Sequence, residues 1–368
     1  MKILWITNMP TIYRVHFFNE LGKYCDLTVM FERYSAKGIE NRWKDSLAKN
    51  FTALFHKTVD IGREGAFGID LLKINYQKYD EVVISSYSSP AEMLALCKLK
   101  LQKIPYILEV DGGLIKNERS YKKKLKTFLI SGADLYFSTS NKTSQYLMYY
   151  GAEKKRIYKY HFTSLFNKDV FKSIPMEATK REIRRSIGLY REKMILAVGQ
   201  FIYRKGFDVL LRTVPNIDED VDVVMVGGEV TEEYKRIIDT FHIKNVKFVS
   251  EVSKEELANY YMGADIFVLP TREDVWGLVI NEAMAKGLPI ITTKSCVAGV
   301  ELIENDVNGY IFESENEHEL EICLKKLLSN KSLREEMGNN NLKKIKQYTL
   351  EEMAREHYEI FKRRKNSE

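Results

Sequence analysis

The sequence is poor in cysteine. Its 368 residues include four, Cys25, Cys97, Cys296 and Cys323, far apart and with no CxxC pair. That argues against a disulfide scaffold or a structural zinc site and suits reduced thiols in a cytosol. Seven prolines and 20 glycines exclude collagen-like and low-complexity chains. No apolar run approaches the roughly 18 residues that a membrane-spanning helix needs. The N-terminus, MKILWITNMP, has one lysine and too short an apolar stretch for a signal peptide, and it reads as a first buried strand. Charge of one sign is also scarce. With 57 basic against 51 acidic residues the net charge is +6, which does not by itself call for nucleic acid. No G-x-G-x-x-G follows the first apolar run, and Gly227-Gly228 lacks a third glycine at the right spacing, so a nicotinamide-dependent oxidoreductase has little support. No internal repeat is evident.

What the sequence has is a series of short apolar, β-branched runs separated by helical stretches. They are Ile3–Thr7, Leu27–Phe31, Val82–Ser85, Tyr106–Val110 and Leu135–Ser138, then Ile195–Val198, Asp222–Val226, Val246–Ser250, Ile266–Leu269 and Ile290–Thr293. Most lack polar alternation, the habit of parallel strands covered by helices on both faces. Ser253-Lys-Glu-Glu256 and Thr349-Leu-Glu-Glu352 read as capping boxes, and Gly287 with Pro289 stops a helix running from about Gly277. The pattern predicts α/β units wound into two Rossmann-like parallel sheets, and at roughly 150 residues per domain the length agrees. The expected domains are 1–170 and 171–348. The junction is placed near 165–190, in a less periodic stretch with Pro175 and the charges Lys180, Arg181, Arg184 and Arg185.

Ligands of doubly wound sheets bind at the carboxyl ends of strands, and several such ends carry chemistry. After Ile266–Leu269 comes Pro-Thr-Arg-Glu273-Asp274-Val-Trp276-Gly277-Leu278-Val279-Ile-Asn-Glu282. Two carboxylates at this spacing can accept hydrogen bonds from sugar hydroxyls, and the amides of Trp276–Leu278 form an anion site at a helix start. An acidic first turn of an ordinary helix explains the same spacing equally well. After Ile195–Val198 come Gly199, Gln200 and a loop with Arg204 and Lys205 before Gly206. Two cations there can hold a diphosphate, or be a solvated pair. Gly227-Gly228 permits close backbone approach. Asp111-Gly112-Gly113 ends another strand, as a site carboxylate or a turn aspartate. The loop after the first strand holds Tyr13, Arg14 and His16, either facing a sugar acceptor or lying at the surface. Lys116–Lys126, with Leu125, Phe128, Leu129 and Ile130, reads as a basic amphipathic helix, suited to an anionic membrane or merely solvated.

These pieces in this order resemble the retaining glycosyltransferases of family 4, the glycosyltransferases group 1. The carrying motifs are Gly199–Lys205-Gly206, Val226-Gly-Gly228, Asp274-x7-Glu282-Ala-Met-Ala-x-Gly-x-Pro, and Glu301-Leu-Ile-x4-Asn308-Gly309. The resemblance is close over the second half and looser over the first. It implies the GT-B architecture, two Rossmann-like domains facing a central cleft, with a last helix from about 349 packing back on the first domain. It implies a nucleotide-sugar donor, UDP-sugar ahead of GDP-sugar, and a glycan or lipid-linked glycan acceptor in bacterial surface polysaccharide assembly. It implies no metal or other cofactor. Arg204 and Lys205 would hold the diphosphate, Glu282 the ribose hydroxyls and Asp274 the transferred sugar. Asp111 would lie near the anomeric carbon, with Arg14, His16, Gly112 and Gly113 on the acceptor side. Two departures stand out. The family's first glutamate is Asp274, with Glu273 beside it, and its Gly-Arg pair reads Gly199-Gln200. A cytoplasmic protein, peripheral on the inner face of the cell membrane, is the expected setting. The rival classes are a catalytically silent partner subunit and the oxidoreductase. The oligomeric state is not legible.

Overall fold

The computed structural model describes residues 1–34, 47–57, 59–61, 65–113, 115 and 118–366. Lys116 and Asn117, at the start of the expected basic helix, lie outside the described residues. Contacts divide the chain into two compact units, Met1–Ser164 with Thr349–Glu368, and Leu165–Tyr348.

The first unit runs β1 (Lys2–Thr7), α1 (Ile12–Leu21), β2 (Asp26–Phe31), β3 (Thr52–Phe55), β4 (Val59–Ile61), β5 (Gly65–Phe67), β6 (Glu81–Ile84), α2 (Pro90–Leu101), β7 (Ile107–Val110), α3 (Ser120–Ile130), β8 (Leu135–Ser138), α4 (Asn141–Tyr149) and β9 (Ile157–Lys159). Seven parallel strands form one sheet in the order β3-β2-β1-β6-β7-β8-β9, and β4 pairs with β5 as a separate hairpin. Central strands β1, β6, β7 and β8 are almost wholly buried, which explains their unalternated apolar sequences. One face packs Leu4, Ile6, Ile84 and Leu108 against Leu96, Leu99 and Leu147 of α2 and α4.

The second unit runs α5 (Glu177–Ser186), β10 (Lys193–Val198), α6 (Phe207–Thr213), β11 (Val221–Val226), α7 (Glu232–Phe241), β12 (Val246–Val249), α8 (Lys254–Gly263), β13 (Ile266–Leu269), α9 (Leu278–Ala285), β14 (Ile290–Thr293), α10 (Val297–Leu302), β15 (Gly309–Phe312), α11 (Glu317–Ser329) and α12 (Lys331–Ile345). Its six strands are parallel in the order β12-β11-β10-β13-β14-β15. The order reverses between β10 and β13, the switch point at which such sheets open a crevice. The last helix, α13 (Leu350–Lys365), belongs to the first unit. There His357 and Phe361 pack around Trp5, Phe17 and Phe137. Burial lowers the His357 pKa, so the ring packs as a neutral aromatic.

All ten expected strands are present. Those not foreseen are β3, β9 and β15 at sheet edges and the β4–β5 hairpin, where runs of three or four residues carry too little pattern. Three other readings need correction. The charged stretch around Lys180 is helix α5, and Lys180 and Arg184 are buried rather than part of a linker. Tyr13, Arg14 and His16 lie on helix α1, not in a loop. The Thr349 box forms only by half: Thr349 caps the Glu352 amide, while the Glu352 carboxylate takes Arg355. The Ser253 box forms in full.

The α5 cations surround Asp265, which is 2% exposed. Its carboxylate accepts from Lys180 Nζ at 3.1 Å, Arg184 Nη1 at 2.9 Å and the Met194 amide at 2.9 Å. Removing it leaves Lys180 buried without a carboxylate and leaves Arg184 only Glu177, at 2.6 Å. Asp265→Ala is therefore expected to cost about 3–5 kcal/mol, read as a lower urea midpoint at constant slope. A loss below about 1 kcal/mol would contradict this assignment.

Candidate active site

In the second unit the two loops that flank the switch point meet side by side. Lys205 Nζ donates to Asp274 Oδ2 at 2.6 Å, and Arg204 Nη1 lies 3.7 Å from Asp274 Oδ1. Lys205 and Asp274 are 12% and 9% exposed, while Arg204 is 43% exposed and bonds the Glu273 carbonyl at 2.7 Å. Two cations thus stand over one carboxylate, a net positive group at the start of α6. Gly206 makes the approach possible. Its φ is +67°, and a Cβ there would lie 2.1 Å from the Pro270 carbonyl oxygen, so only glycine fits. Gly227 is as confined, since its Cβ would meet the Gly199 carbonyl at 2.3 Å. Gly199, Gly227 and Gly228 therefore bring β10 and β11 to a close, side-chain-free end.

Glycine also opens α9. Gly277 is its N-cap at φ +104°. Leu278 and Val279 begin the helix partly exposed, and Glu282 follows a turn and a half later. Glu282 Oε2 accepts from the buried Tyr261 hydroxyl at 2.9 Å. Burial pushes the Glu282 carboxyl above its usual range, with the Tyr261 bond opposing. The Trp276 ring is turned inward, 3% exposed, with Nε1 donating to Asn281 Oδ1 at 2.9 Å. Gln200 is exposed. Asn308 is structural: buried, it bonds the Leu302 carbonyl and Asn341.

In the first unit Arg14 is 4% exposed and forks two carboxylates at once. Nη1 reaches both Glu109 oxygens at 2.9 Å, and Nη2 reaches the Asp111 oxygens at 2.8 and 2.7 Å. Tyr160 OH adds a bond to Glu109 at 2.9 Å and another to Asp111 at 3.3 Å. Ser85 Oγ donates to Glu109 at 2.6 Å. Burial acts to raise the Glu109 pKa, but the Arg14 charge and these hydrogen bonds outweigh it and hold the group as a carboxylate. The Asp111 carboxyl is pushed up, by burial first and by the Glu109 charge, with Arg14 opposing. Asp111 is the open end of the cluster, 36% exposed against 0% for Glu109. Arg14 is therefore neither a surface residue nor free to meet an acceptor. His16 is partly exposed on the same helix. Gly113 lies against the Tyr146 ring, where a Cβ would come within 2.6 Å, and Gly112 is partly exposed.

The family whose model matches is Glycosyl transferases group 1, over residues 179–344. That stretch is a group 1 glycosyltransferase domain. An uncharacterized glycosyltransferase of Methanocaldococcus jannaschii is 32% identical over 190 residues, 50% of this chain and 48% of that protein. Spore coat protein SA of Bacillus subtilis is 31% identical over 175 residues, 44% of this chain and 46% of that protein. The chain thus spans about half the length of the curated relatives it matches. Among solved structures, Anabaena Alr3699/HepE in complex with UDP superposes with a TM-score of 0.80 at 14% identity, covering 98% of this chain and 100% of that one. The lipopolysaccharide glycosyltransferase WaaG gives 0.69 at 14% identity over 98% and 99%. The chain, with its two parallel-sheet units, has the GT-B fold of these structures. Tyr261, Glu109 and Tyr160 were not legible in the sequence as partners of these groups. Each lies within a helix, strand or motif gap where nothing in the local pattern marks a polar partner.

Proposed function

We propose that the protein is a retaining glycosyltransferase. It moves a hexose-type sugar from a nucleoside diphosphate sugar, a UDP-sugar ahead of a GDP-sugar, to a glycan or lipid-linked glycan of a bacterial surface polysaccharide such as capsule, O-antigen or lipopolysaccharide. The observation that carries this is the Arg204–Lys205–Asp274 group at the switch point of a group 1 domain. A diphosphate leaving group needs positive charge where its own negative charge develops. Lys205 and Arg204 supply it beside the start of α6, and no metal is required in this scheme. Glu282, fixed by Tyr261, receives the ribose hydroxyls, and Asp274 or Glu273 the transferred sugar. HepE complexed with UDP and with UDP-glucose, and the lipopolysaccharide enzymes WaaG and WaaB, support the donor class and the setting by likeness of fold. Asp111 already has both oxygens bonded by Arg14, which suits an electrostatic role on the acceptor side better than a covalent nucleophile. Attack from the leaving group's own face, with the departing phosphate taking the acceptor proton, then accounts for retention. The anomeric configuration of the product, read by NMR coupling constants with UDP-glucose as first donor, tests this. An inverted product contradicts it.

The acceptor is proposed to be met at an anionic membrane surface. Among the described residues no helix is long and apolar enough to cross a membrane. Helix α3, however, exposes Tyr121, Leu125 and Phe128, at i, i+4 and i+7, beside Lys122, Lys123 and Lys124. Lys126 is paired with Glu118 and takes no part. An apolar stripe rimmed by lysines suits the interface of an anionic bilayer, at about 1 kcal/mol per basic residue. The protein is expected to float with vesicles containing anionic lipid and not with neutral ones, and Lys122→Glu with Lys124→Glu should abolish flotation. Flotation indifferent to those changes would contradict the assignment.

A further inference from the structure

Arg272 lies between the two halves of the cationic group and touches both. Its amide donates to the Arg204 carbonyl at 2.8 Å. Its Nη1 donates to the Tyr203 carbonyl at 2.7 Å, and its guanidinium stacks 4.0 Å from the centre of the Tyr203 ring. The same guanidinium forks Asp208, in the first turn of α6, with both contacts at 2.8 Å, and Nε reaches Glu315 at 2.8 Å. The side chain is 11% exposed. The short turn Tyr203–Lys205, which carries both cations, is therefore tied to α6 through the Arg272 side chain, while Thr271 Oγ1, donating to the Arg204 carbonyl at 2.8 Å, helps hold it to the Asp274 loop.

We propose that Arg272 is a positioning residue for the donor diphosphate: it sets the place of the Lys205 ammonium without touching the donor. This rests on the reading of Arg204 and Lys205 as diphosphate cations. Two features separate such a role from a general brace. Asp208 keeps a second partner, Arg212 at 2.6 Å, so α6 stays neutralised when Arg272 is removed. Tyr203, by contrast, is 69% exposed and has little but the guanidinium to hold its ring. What depends on the Arg272 side chain is the Tyr203 end of the turn that presents Lys205. The geometry also demands arginine. One group stacks on a ring, forks a carboxylate and reaches a carbonyl and a second carboxylate, and a lysine ammonium can do only one of these well.

The test is a double-mutant cycle on nucleotide affinity. UDP is titrated calorimetrically into the full chain as wild type, Arg272→Lys, Arg272→Gln, Lys205→Ala and the Lys205→Ala/Arg272→Gln double variant, each verified as folded by its cooperative melt. Both Arg272 variants are expected to weaken UDP binding about tenfold, lysine rescuing nothing, while Arg272→Gln on top of Lys205→Ala adds less than about twofold. Tyr203→Ser, at an exposed ring, should reproduce part of the loss and serves where Arg272→Gln does not fold. The proposal is overturned by a full additive loss in the Lys205→Ala background, by rescue with lysine, or by unchanged affinity in the Arg272 and Tyr203 variants. If Lys205→Ala itself leaves UDP affinity unchanged, the donor-site reading fails and the proposal falls with it. If Lys205→Ala weakens UDP and the Arg272 variants do not, the proposal alone fails.

Discussion

Lys205→Ala is expected to lower turnover about 10²–10³-fold, on the scale of removing one preorganised stabiliser of developing charge. Nucleotide affinity should fall less, by about 10- to 100-fold, the worth of a charge-assisted bond to a diphosphate. The larger effect on turnover follows from where the charge appears. The leaving diphosphate gains negative charge as the glycosidic bond breaks, so the ammonium binds the transition state more tightly than the ground state. Asp274 is left with Arg204 alone, 3.7 Å away and exposed, so the variant should also melt slightly lower. Steady-state rates with titrated donor separate the two effects. Loss confined to KM, with kcat intact, would mean that Lys205 only binds the donor.

Asp111→Asn should behave differently. Turnover is expected to fall about 100-fold, the weight of one preorganised electrostatic group, while UDP affinity stays within about twofold, because Asp111 belongs to the other unit. The pH profile should show it too. Burial and the Glu109 charge raise the Asp111 pKa in the folded protein, so the active carboxylate is lost as pH falls through that raised value. The acid limb of kcat/KM should therefore lie above the range of an ordinary aspartate and vanish in Asp111→Asn. Activity flat with pH down to the ordinary aspartate range in the wild type would contradict this role.

Much of the fold was legible because a parallel sheet buried on both faces leaves unalternated apolar runs, and each of those predicted became a strand. What escaped lay where the pattern is short or ambiguous. Strand β9 is three residues with an exposed Tyr158, and β15 follows a polar turn. In the sequence helix α5 reads as a charged junction, because the partner that Lys180 and Arg184 face, Asp265, lies about 80 residues on. The motif proposed for the donor is local in sequence, so Gly206, Lys205, Asp274 and Glu282 could be named from spacing. Their second partners are not local. Tyr261 reaches Glu282 from another helix, and Arg272 reaches Asp208 across 64 residues. Arg14 shows the limit most clearly: its sequence neighbourhood is polar and aromatic, yet its partners are 95 and 97 residues away.

The central claim is that the second unit holds a nucleoside diphosphate at Arg204, Lys205 and Glu282. A thermal-shift screen of the purified protein against UDP, GDP, ADP, CMP, UDP- and GDP-sugars and NAD tests it most directly. A ligand that binds only the native state at a hundred times its Kd adds about 2.7 kcal/mol of stability, a shift of several degrees. The account predicts that one nucleoside diphosphate and its sugar raise Tm, and that Lys205→Ala and Glu282→Ala cut the shift by about half or more at the same ligand concentration. A shift with NAD alone, or none with any nucleotide in protein shown to be folded, would contradict it.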